Sequence, residues 1–421
     1  MTGARDVLDA AVVGAGWAGL GVSHALKQRG LRHQVLERAR IGESWRTQRW
    51  DSFRFNTPNS QTVMPGMSYA GPDPDGAMTS AEFVALLEDY AVGHGLPVRI
   101  DVHVSEMVTS DGLFRLATPG GALWARSVVI ACGNQNVPVR PALSAKLPAG
   151  LKQIDASDYR SPAGLAPGAI LVVGSAQSGG QIAEDLVGAG RTVYLSTSRV
   201  GRLPHMYRGS HIMDWLVRSG RIDQSRIEML EQQGRIVGRP LTGAVHTLSL
   251  QSVSAQGVLL LRRLTEIDGT ILRFDDSVED HLRFAGETSE NARRAIEEYS
   301  RQSGISAPAA EADANEVVAA RIPQPPIRSL DVEDCGITTV IWCTGFKGDF
   351  SWIQVPGLLD AEGRPVHDHG VGSVPGTYFA GLAFAVSRRS GTILAIAEEA
   401  SRYARMIEQR NSMPAHLAGA I

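Results

Sequence analysis

The feature that most constrains this chain is a glycine-rich turn that occurs twice. Val12-Val13-Gly14-Ala15-Gly16-Trp17-Ala18-Gly19 and Val172-Val173-Gly174-Ser175-Ala176-Gln177-Ser178-Gly179 each follow an apolar stretch and precede a helical one. Such a turn requires a buried strand before it and a helix after it. Its first glycine allows the tight reversal, its second lets a pyrophosphate approach the backbone, and its third lets the helix pack closely on the strand. One copy is a weak signal. Two copies in one polypeptide predict an α/β fold with two Rossmann-like dinucleotide-binding domains. Two dinucleotides held face to face point to electron transfer between a flavin and a nicotinamide.

The surroundings of each turn are in order. Around the first, residues 8–13 read as a buried parallel strand and residues 20–29 as the following helix. His33-Gln34-Val35-Leu36 is the next strand, and it runs into Glu37 and Arg38. A carboxylate about 20 residues past the turn can accept hydrogen bonds from ribose hydroxyls. Gly14, Gly16, Trp17 and Gly19 therefore form, with Glu37 and Arg38, a first nucleotide site, with the helix N-terminus facing the phosphates. Around the second turn, residues 169–173 and 192–195 read as strands and residues 180–188 as a helix. Here the acid position is Thr197, within Ser196-Thr197-Ser198-Arg199, and Arg202 follows. A carboxylate would repel a 2′-phosphate, whereas hydroxyls and forked guanidinium groups attract one. The second site, Gly174, Ser175, Gln177, Ser178, Gly179, Ser198, Arg199 and Arg202, thus reads as selective for NADPH over NADH. Ala176 replaces the middle glycine, and its methyl hinders the pyrophosphate slightly.

Bulk properties narrow the rest. A chain of 421 residues exceeds one simple core, and 43% hydrophobic with 20% charged residues is an ordinary globular balance. A net charge of −3 gives no reason to expect a nucleic-acid partner. No apolar run approaches the ~18–20 residues of a membrane helix. Residues 1–9 include Arg5, Asp6 and Asp9 and lack an apolar stretch, which argues against a secretion signal and for the cytoplasm. The three cysteines, Cys132, Cys335 and Cys343, are too few for a disulfide framework and contain no Cys-x-x-Cys for a dithiol relay. They read as buried structural thiols. His367-Asp368-His369 lacks a third ligand, so it reads as an exposed turn and no metal is expected.

Two segments echo one another: Ser127-Val128-Val129-Ile130-Ala131-Cys132-Gly133 and Thr338-Thr339-Val340-Ile341-Trp342-Cys343-Thr344-Gly345. Each is a buried strand ending where backbone must pass a cofactor. Val137-Pro138-Val139-Arg140-Pro141 marks a boundary. The first nucleotide domain is expected at 1–140, the second at 165–330, and the completion of the first at 331–421. Within 209–325, residues 213–218 and 225–233 read as helices. Residues 258–261 and 270–274 flank Asp268-Gly269 as a β-hairpin, residues 292–303 read as a charged surface helix, and 307–314 as a loop.

After the first turn the chain continues through Ile41-Gly42-Glu43-Ser44-Trp45-Arg46, Trp50-Asp51-Ser52-Phe53-Arg54-Phe55-Asn56-Thr57-Pro58-Asn59 and Met64-Pro65-Gly66. Here it resembles the class B flavin-dependent monooxygenases, above all the YUCCA-like enzymes and bacterial flavoproteins associated with potassium transport. The likeness covers nearly the whole chain. It implies FAD at the first turn, NADPH at the second, and Ser44, Trp45, Val104, Ala131, Gly133, Thr344, Gly345, Gly381 and Thr392 among the cofactor contacts. It also implies Trp45 and Trp50 near the isoalloxazine, and a helix N-terminus after Thr392 facing the flavin N1–C2=O edge. The activity implied is an NADPH-dependent FAD monooxygenase that forms a flavin C4a-(hydro)peroxide and oxygenates a small organic substrate with O₂, preferably at N or S. Baeyer–Villiger oxygenation, an NADPH oxidase or dehydrogenase, and a non-catalytic redox sensor are the alternatives. Asn59 is the first choice and Asn56 the second for holding the oxygen adduct, with turn chemistry beside Pro58 as the plain reading of both. The family's Gly-x₃-His-x₃-Tyr-like signature is altered here: Tyr159 is kept, but Asp155 stands near the His position. A homodimer remains open.

Overall fold

The computed structural model describes residues 5–233 and 238–412. Its frame is two sheets built on one plan. In the first, Ala10–Val13 lies between His33–Leu36 and Val128–Ile130, all parallel, and Val98–Arg99 extends the first flank. Thr377–Phe379 extends the other flank in parallel, and a short antiparallel ribbon completes seven strands. In the second sheet Ala169–Val173 lies between Val193–Ser196 and Ile337–Trp342, with Leu259–Leu261 and Lys152–Asp155 outside them. The strands are apolar on both faces because both faces are covered, one by helices and the other by a small antiparallel sheet, residues 106–125 on the first and residues 264–274 with 329–331 on the second.

Three expectations change here. Ile337–Trp342 belongs to the second sheet, so the return to the first domain comes after Cys343, later than the boundary at 331. Leu259–Leu261 joins the same sheet in parallel, and the hairpin across Asp268-Gly269 is instead Leu264–Asp268 with Ile271–Phe274. The charged helix begins at Val278 and runs to Gln302, buried along Val278, His281, Ala285, Ser289, Ala292, Ile296 and Ser300. That three-to-four-residue spacing places the buried residues in a single stripe along one face of the helix. A small antiparallel sheet, built on Glu106–Ser110, Leu113–Thr118 and Gly121–Ala125, packs on the first domain.

The two connections between the domains run side by side. Val137–Pro138 pairs antiparallel with Phe346–Lys347, Val139 N–H donates to Gly345 O at 2.9 Å, and Thr344 Oγ1 donates to Val139 O at 2.6 Å. Arg140 forks onto Asp155 at 2.7 and 3.0 Å and ties this ribbon to the second sheet's edge. A second tie is the aromatic segment 45–55. Trp45 packs with Phe55 and Phe83 in the first domain's core, whereas Trp50, 4% exposed, enters the second domain's core beside Tyr159. Ser52 Oγ and Tyr159 OH both donate to the Asp185 carboxylate, at 2.7 and 2.5 Å. Among the described residues no helix is long and apolar enough to cross a membrane, and no cluster of three metal-ligating side chains occurs.

Candidate functional site

Both turns are shaped by the strand beside them. Gly14 has φ +108°, and a Cβ there would lie 2.6 Å from Ala131 O; Gly174 has φ +98°, and its Cβ would lie 2.5 Å from Cys343 O. The third glycines are tighter still, since a Cβ at Gly19 or Gly179 would overlap Gly14 O or Gly174 O. Only glycine fits these four positions. The second position differs: a Cβ at Gly16 would meet nothing within 4 Å, and Ala176 is exposed. Open space therefore lies in front of each turn, where a pyrophosphate would have to lie.

The helices that follow, Trp17–Gln28 and Gln177–Gly188, start without any side-chain cap or first-turn acid. Elsewhere the chain caps carefully: Thr79 and Glu82 form a complete capping box on Ser80–Gly93. The bare N–H groups at the two turns, with the positive end of each helix dipole, are suited to phosphate oxygens.

Beyond the first turn, Glu37 is buried and its carboxylate accepts from Ala15 N–H at 2.8 Å and Ala39 N–H at 3.1 Å. The carboxylate is held at the strand end beside the turn, while Arg38 is exposed. Trp17 opens the helix, half-buried, against Gly381, where a Cβ would come within 3.2 Å of its ring. Ala131 N–H donates to Val13 O, and Gly133 has φ +81°, so backbone passes close to the turn here. Ser44 is exposed at the start of a short helix.

Several expected contacts are committed elsewhere. Val104 is buried in the core under the first sheet with Leu36, Ile130 and Phe350, which leaves only its backbone for a ligand. Thr344 and Gly345 form the connecting ribbon. Thr392 Oγ1 donates to Arg389 O at 2.6 Å, within a turn. Trp50 is core packing. Asn59 Nδ2 donates to Asp73 O at 2.9 Å and its Oδ1 is buried without a partner, so it serves the turn after Pro58. Asn56 is half-buried, and its side chain makes no hydrogen bond with the described residues.

The second turn corrects the phosphate residues. Gly174 N–H donates to Ser196 O as Gly14 N–H does to Leu36 O, which makes Thr197 the counterpart of Glu37. Thr197, 1% exposed, faces inward: its hydroxyl donates to Leu261 O at 2.9 Å and meets His281 Nδ1 at 3.0 Å. Ser198 takes over at the turn, its Oγ accepting from Ser175 N–H at 3.2 Å, while Ser175 Oγ accepts from Ser198 N–H at 2.9 Å. Arg199 is exposed, its guanidinium 3.7 Å above the Phe284 ring, with no acid partner among the described residues. Arg202 is buried and donates to Glu316 at 2.9 Å and Gln251 at 3.1 Å; Arg293 and Ser289 also bind Glu316. Arg202 is therefore a structural ion-pair member and is withdrawn as a phosphate ligand. Gln177 is likewise spent, exchanging hydrogen bonds of 2.7 and 3.1 Å with the Thr242 backbone. Ser178 makes no side-chain hydrogen bond with the described residues.

The thiols are quiet. All three cysteines are unpaired; Cys343 is buried, and Cys132 and Cys335 are half-buried. Burial pushes the Cys132 thiol up to about 12 and the Cys343 thiol well above its usual range.

The pyridine nucleotide-disulphide oxidoreductase family profile matches residues 11–217. An uncharacterized CzcO-like oxidoreductase of Geobacillus kaustophilus is 29% identical over 399 residues, spanning 94% of this chain and 97% of the relative. Indole-3-pyruvate monooxygenase YUCCA1 of Oryza sativa is 30% identical over 181 residues, 42% of this chain and 44% of that protein. Among solved structures, a flavin-containing monooxygenase from Stenotrophomonas maltophilia superposes with a TM-score of 0.66 at 18% identity, covering 97% of this chain and all of that one.

Proposed function

We propose that this chain is an FAD- and NADPH-dependent flavin monooxygenase that inserts one oxygen atom from O₂ into a small organic molecule, at nitrogen or sulfur, a reading supported by the relatives and the shared fold. The balance is NADPH, H⁺, O₂ and substrate giving NADP⁺, water and the oxygenated product. One observation carries the reading. Two uncapped helix N-termini stand behind glycine-shaped turns, with a carboxylate at the first and hydroxyl and guanidinium groups at the second.

Bound FAD would supply two-electron reduction by NADPH and the activation of O₂. The chain's own residues bind and orient. The first helix N-terminus holds the FAD pyrophosphate, and Glu37 accepts the ribose hydroxyls. The second holds the NADPH pyrophosphate, and Ser198 and Arg199 take the 2′-phosphate. Asn56, whose carboxamide is uncommitted, is preferred over Asn59 for hydrogen bonding at the reacting oxygen. A disulfide relay is disfavoured because Cys132 and Cys343 stay protonated at neutral pH. Asp155, committed to Arg140, makes carbonyl oxygenation the second choice. The expected location is the cytoplasm.

The protein reconstituted with FAD should be yellow and should consume NADPH and O₂ with methyl phenyl sulfide or a tertiary amine, one NADPH per oxygenated product. A protein that stays colourless sinks the proposal. Hydrogen peroxide in place of every oxygenated product would make it an oxidase.

A further inference from the structure

The segment 197–202 follows the strand Val193–Ser196 and is held along its length by one remote element, the helix Val278–Gln302. His281, buried in that helix, meets Thr197 Oγ1 through Nδ1 at 3.0 Å. One turn further on, the half-buried Phe284 lies under the Arg199 guanidinium, 3.7 Å from it. Gly201 is pressed against Thr288, where a Cβ would come within 2.6 Å of Cγ2. Ser289 and Arg293 reach Arg202 through the Glu316 carboxylate. His281, Phe284 and Thr288 follow one another at three- and four-residue steps, so one face of the helix carries the segment.

The hydrogen bonds give these contacts a direction. Thr197 spends its one hydroxyl proton on Leu261 O at 2.9 Å, so its oxygen accepts from His281. Burial lowers the His281 pKa, with Arg263 and Arg199 acting the same way against Asp275 and Asp280. The ring is therefore neutral at neutral pH, and its single proton sits on Nδ1. Held from two sides, Thr197 does not turn to the glycine turn as Glu37 does. The N–H that Glu37 takes at Ala15 is taken at Ser175 by Ser198 instead. Arg199 is then the next side chain outward, and the ring of Phe284 is what orients it. A guanidinium held in one orientation before binding has less freedom left to lose when it pairs.

We propose that His281 and Phe284 are positioning residues that set the second turn's selectivity for a 2′-phosphate, His281 by holding Thr197 inward and Phe284 by aiming Arg199. The inference rests on the nucleotide assignment above and deepens it. Neither side chain has to touch the nucleotide. The selectivity is decided from a helix that stands 84 residues along the chain from the loop it braces. The plain alternative is a helix that only holds the domain together, and that alternative gives the two nicotinamide nucleotides equal losses.

The test is calorimetric titration of the oxidised, FAD-loaded protein with NADP⁺ and NAD⁺, which bind without reducing the flavin. The wild type should bind NADP⁺ at least about tenfold tighter. Phe284→Ala should weaken NADP⁺ about three- to tenfold, the scale of one cation–π contact, and change NAD⁺ less than about twofold. Phe284→Trp, which keeps an aromatic face, should restore the affinity. In an Arg199→Ala background Phe284→Ala should add nothing, because a residue that acts through another has no separate loss to add. His281→Leu should also weaken NADP⁺ about three- to tenfold. His281→Asn, whose amide N–H stands in for Nδ1–H, should recover most of that. Phe284 is only half-buried, so its variants carry the test should His281→Leu fail to fold. Equal weakening of both nucleotides, or a full further loss in the Arg199→Ala background, would overturn the proposal. A wild type that prefers NADP⁺ beside indifferent variants defeats this proposal alone, whereas a wild type without that preference defeats the nucleotide assignment beneath it.

Discussion

The two glycine turns have nearly the same backbone and differently placed side chains. In each, the first glycine sits at φ near +100° under a neighbouring strand's last carbonyl, and the helix begins bare. Even the flanking strand order agrees: Val128–Ile130, Ala10–Val13, His33–Leu36 and Val98–Arg99 match Ile337–Trp342, Ala169–Val173, Val193–Ser196 and Leu259–Leu261. The difference begins one residue past the second strand. Glu37 turns back to the first turn's N–H, while its counterpart Thr197 turns into the core and Ser198 serves instead. Backbone shape is thus set by strand packing and shared, whereas the side chains beside the two turns diverge one residue past the strand's end.

Which arginine serves the second turn can be broken open first, because it carries the largest expected effect. Arg202→Ala removes one partner of the buried Glu316 cluster, and breaking a buried pair costs about 3–5 kcal/mol. Urea unfolding should show that loss, with NADPH affinity in the surviving folded protein near wild type. Unchanged stability with a selective loss of NADPH would restore Arg202 as a phosphate ligand.

The glycines under the carbonyls come next. Gly14→Ala and Gly174→Ala each force a side chain into a positive-φ position and onto a carbonyl oxygen. Left-handed strain and overpacking together cost about 2–5 kcal/mol. Gly14→Ala should purify with little flavin, whereas Gly174→Ala should stay yellow and bind NADPH poorly. Flavin absorbance and nucleotide titration separate the two. If both variants lose flavin alike, the turns are not independent sites.

Arg199→Ala should raise the NADPH dissociation constant about ten- to hundredfold and leave NADH nearly unchanged, the scale of a charged hydrogen bond. Equal loss for both nucleotides would mean that Arg199 only shapes its loop over Phe284.

How much of this is readable from residues depends on the range of the interaction. The turns, their strands and Glu37 are local patterns: apolar runs, glycines and one acid at a fixed interval. The roles of Thr197 and Arg202 are not local. Nothing near Thr197 in the chain announces His281, and nothing near Arg202 announces Glu316 or Arg293; the partners arrive through the fold. Leu259–Leu261 looks like half of a hairpin because an apolar run of three has no period, and only the gap beside Val193–Ser196 makes it a parallel strand. Trp50 and Trp45 look alike in sequence yet enter different cores. Asn59 and Asn56 separate only once the loop at Asp73 is in place.

The smallest effect tests the remaining difference between the turns, Gly16 against Ala176. Neither position is packed: a Cβ at Gly16 touches nothing within 4 Å, and the Ala176 methyl is exposed. Gly16→Ala should therefore leave the melting temperature of the flavin-free protein almost unchanged, unlike Gly14→Ala, and weaken only FAD binding, by about tenfold or less. The reciprocal Ala176→Gly removes a methyl from in front of the second turn. Alanine is a poor residue at a helix start and glycine a tolerable one, so stability should hold within about 0.5 kcal/mol. NADPH should bind up to a fewfold tighter as the pyrophosphate settles closer to the backbone. Weaker NADPH binding in Ala176→Gly would mean that the methyl touches the nucleotide favourably, and the second turn would then be a differently fitted site rather than a looser copy of the first.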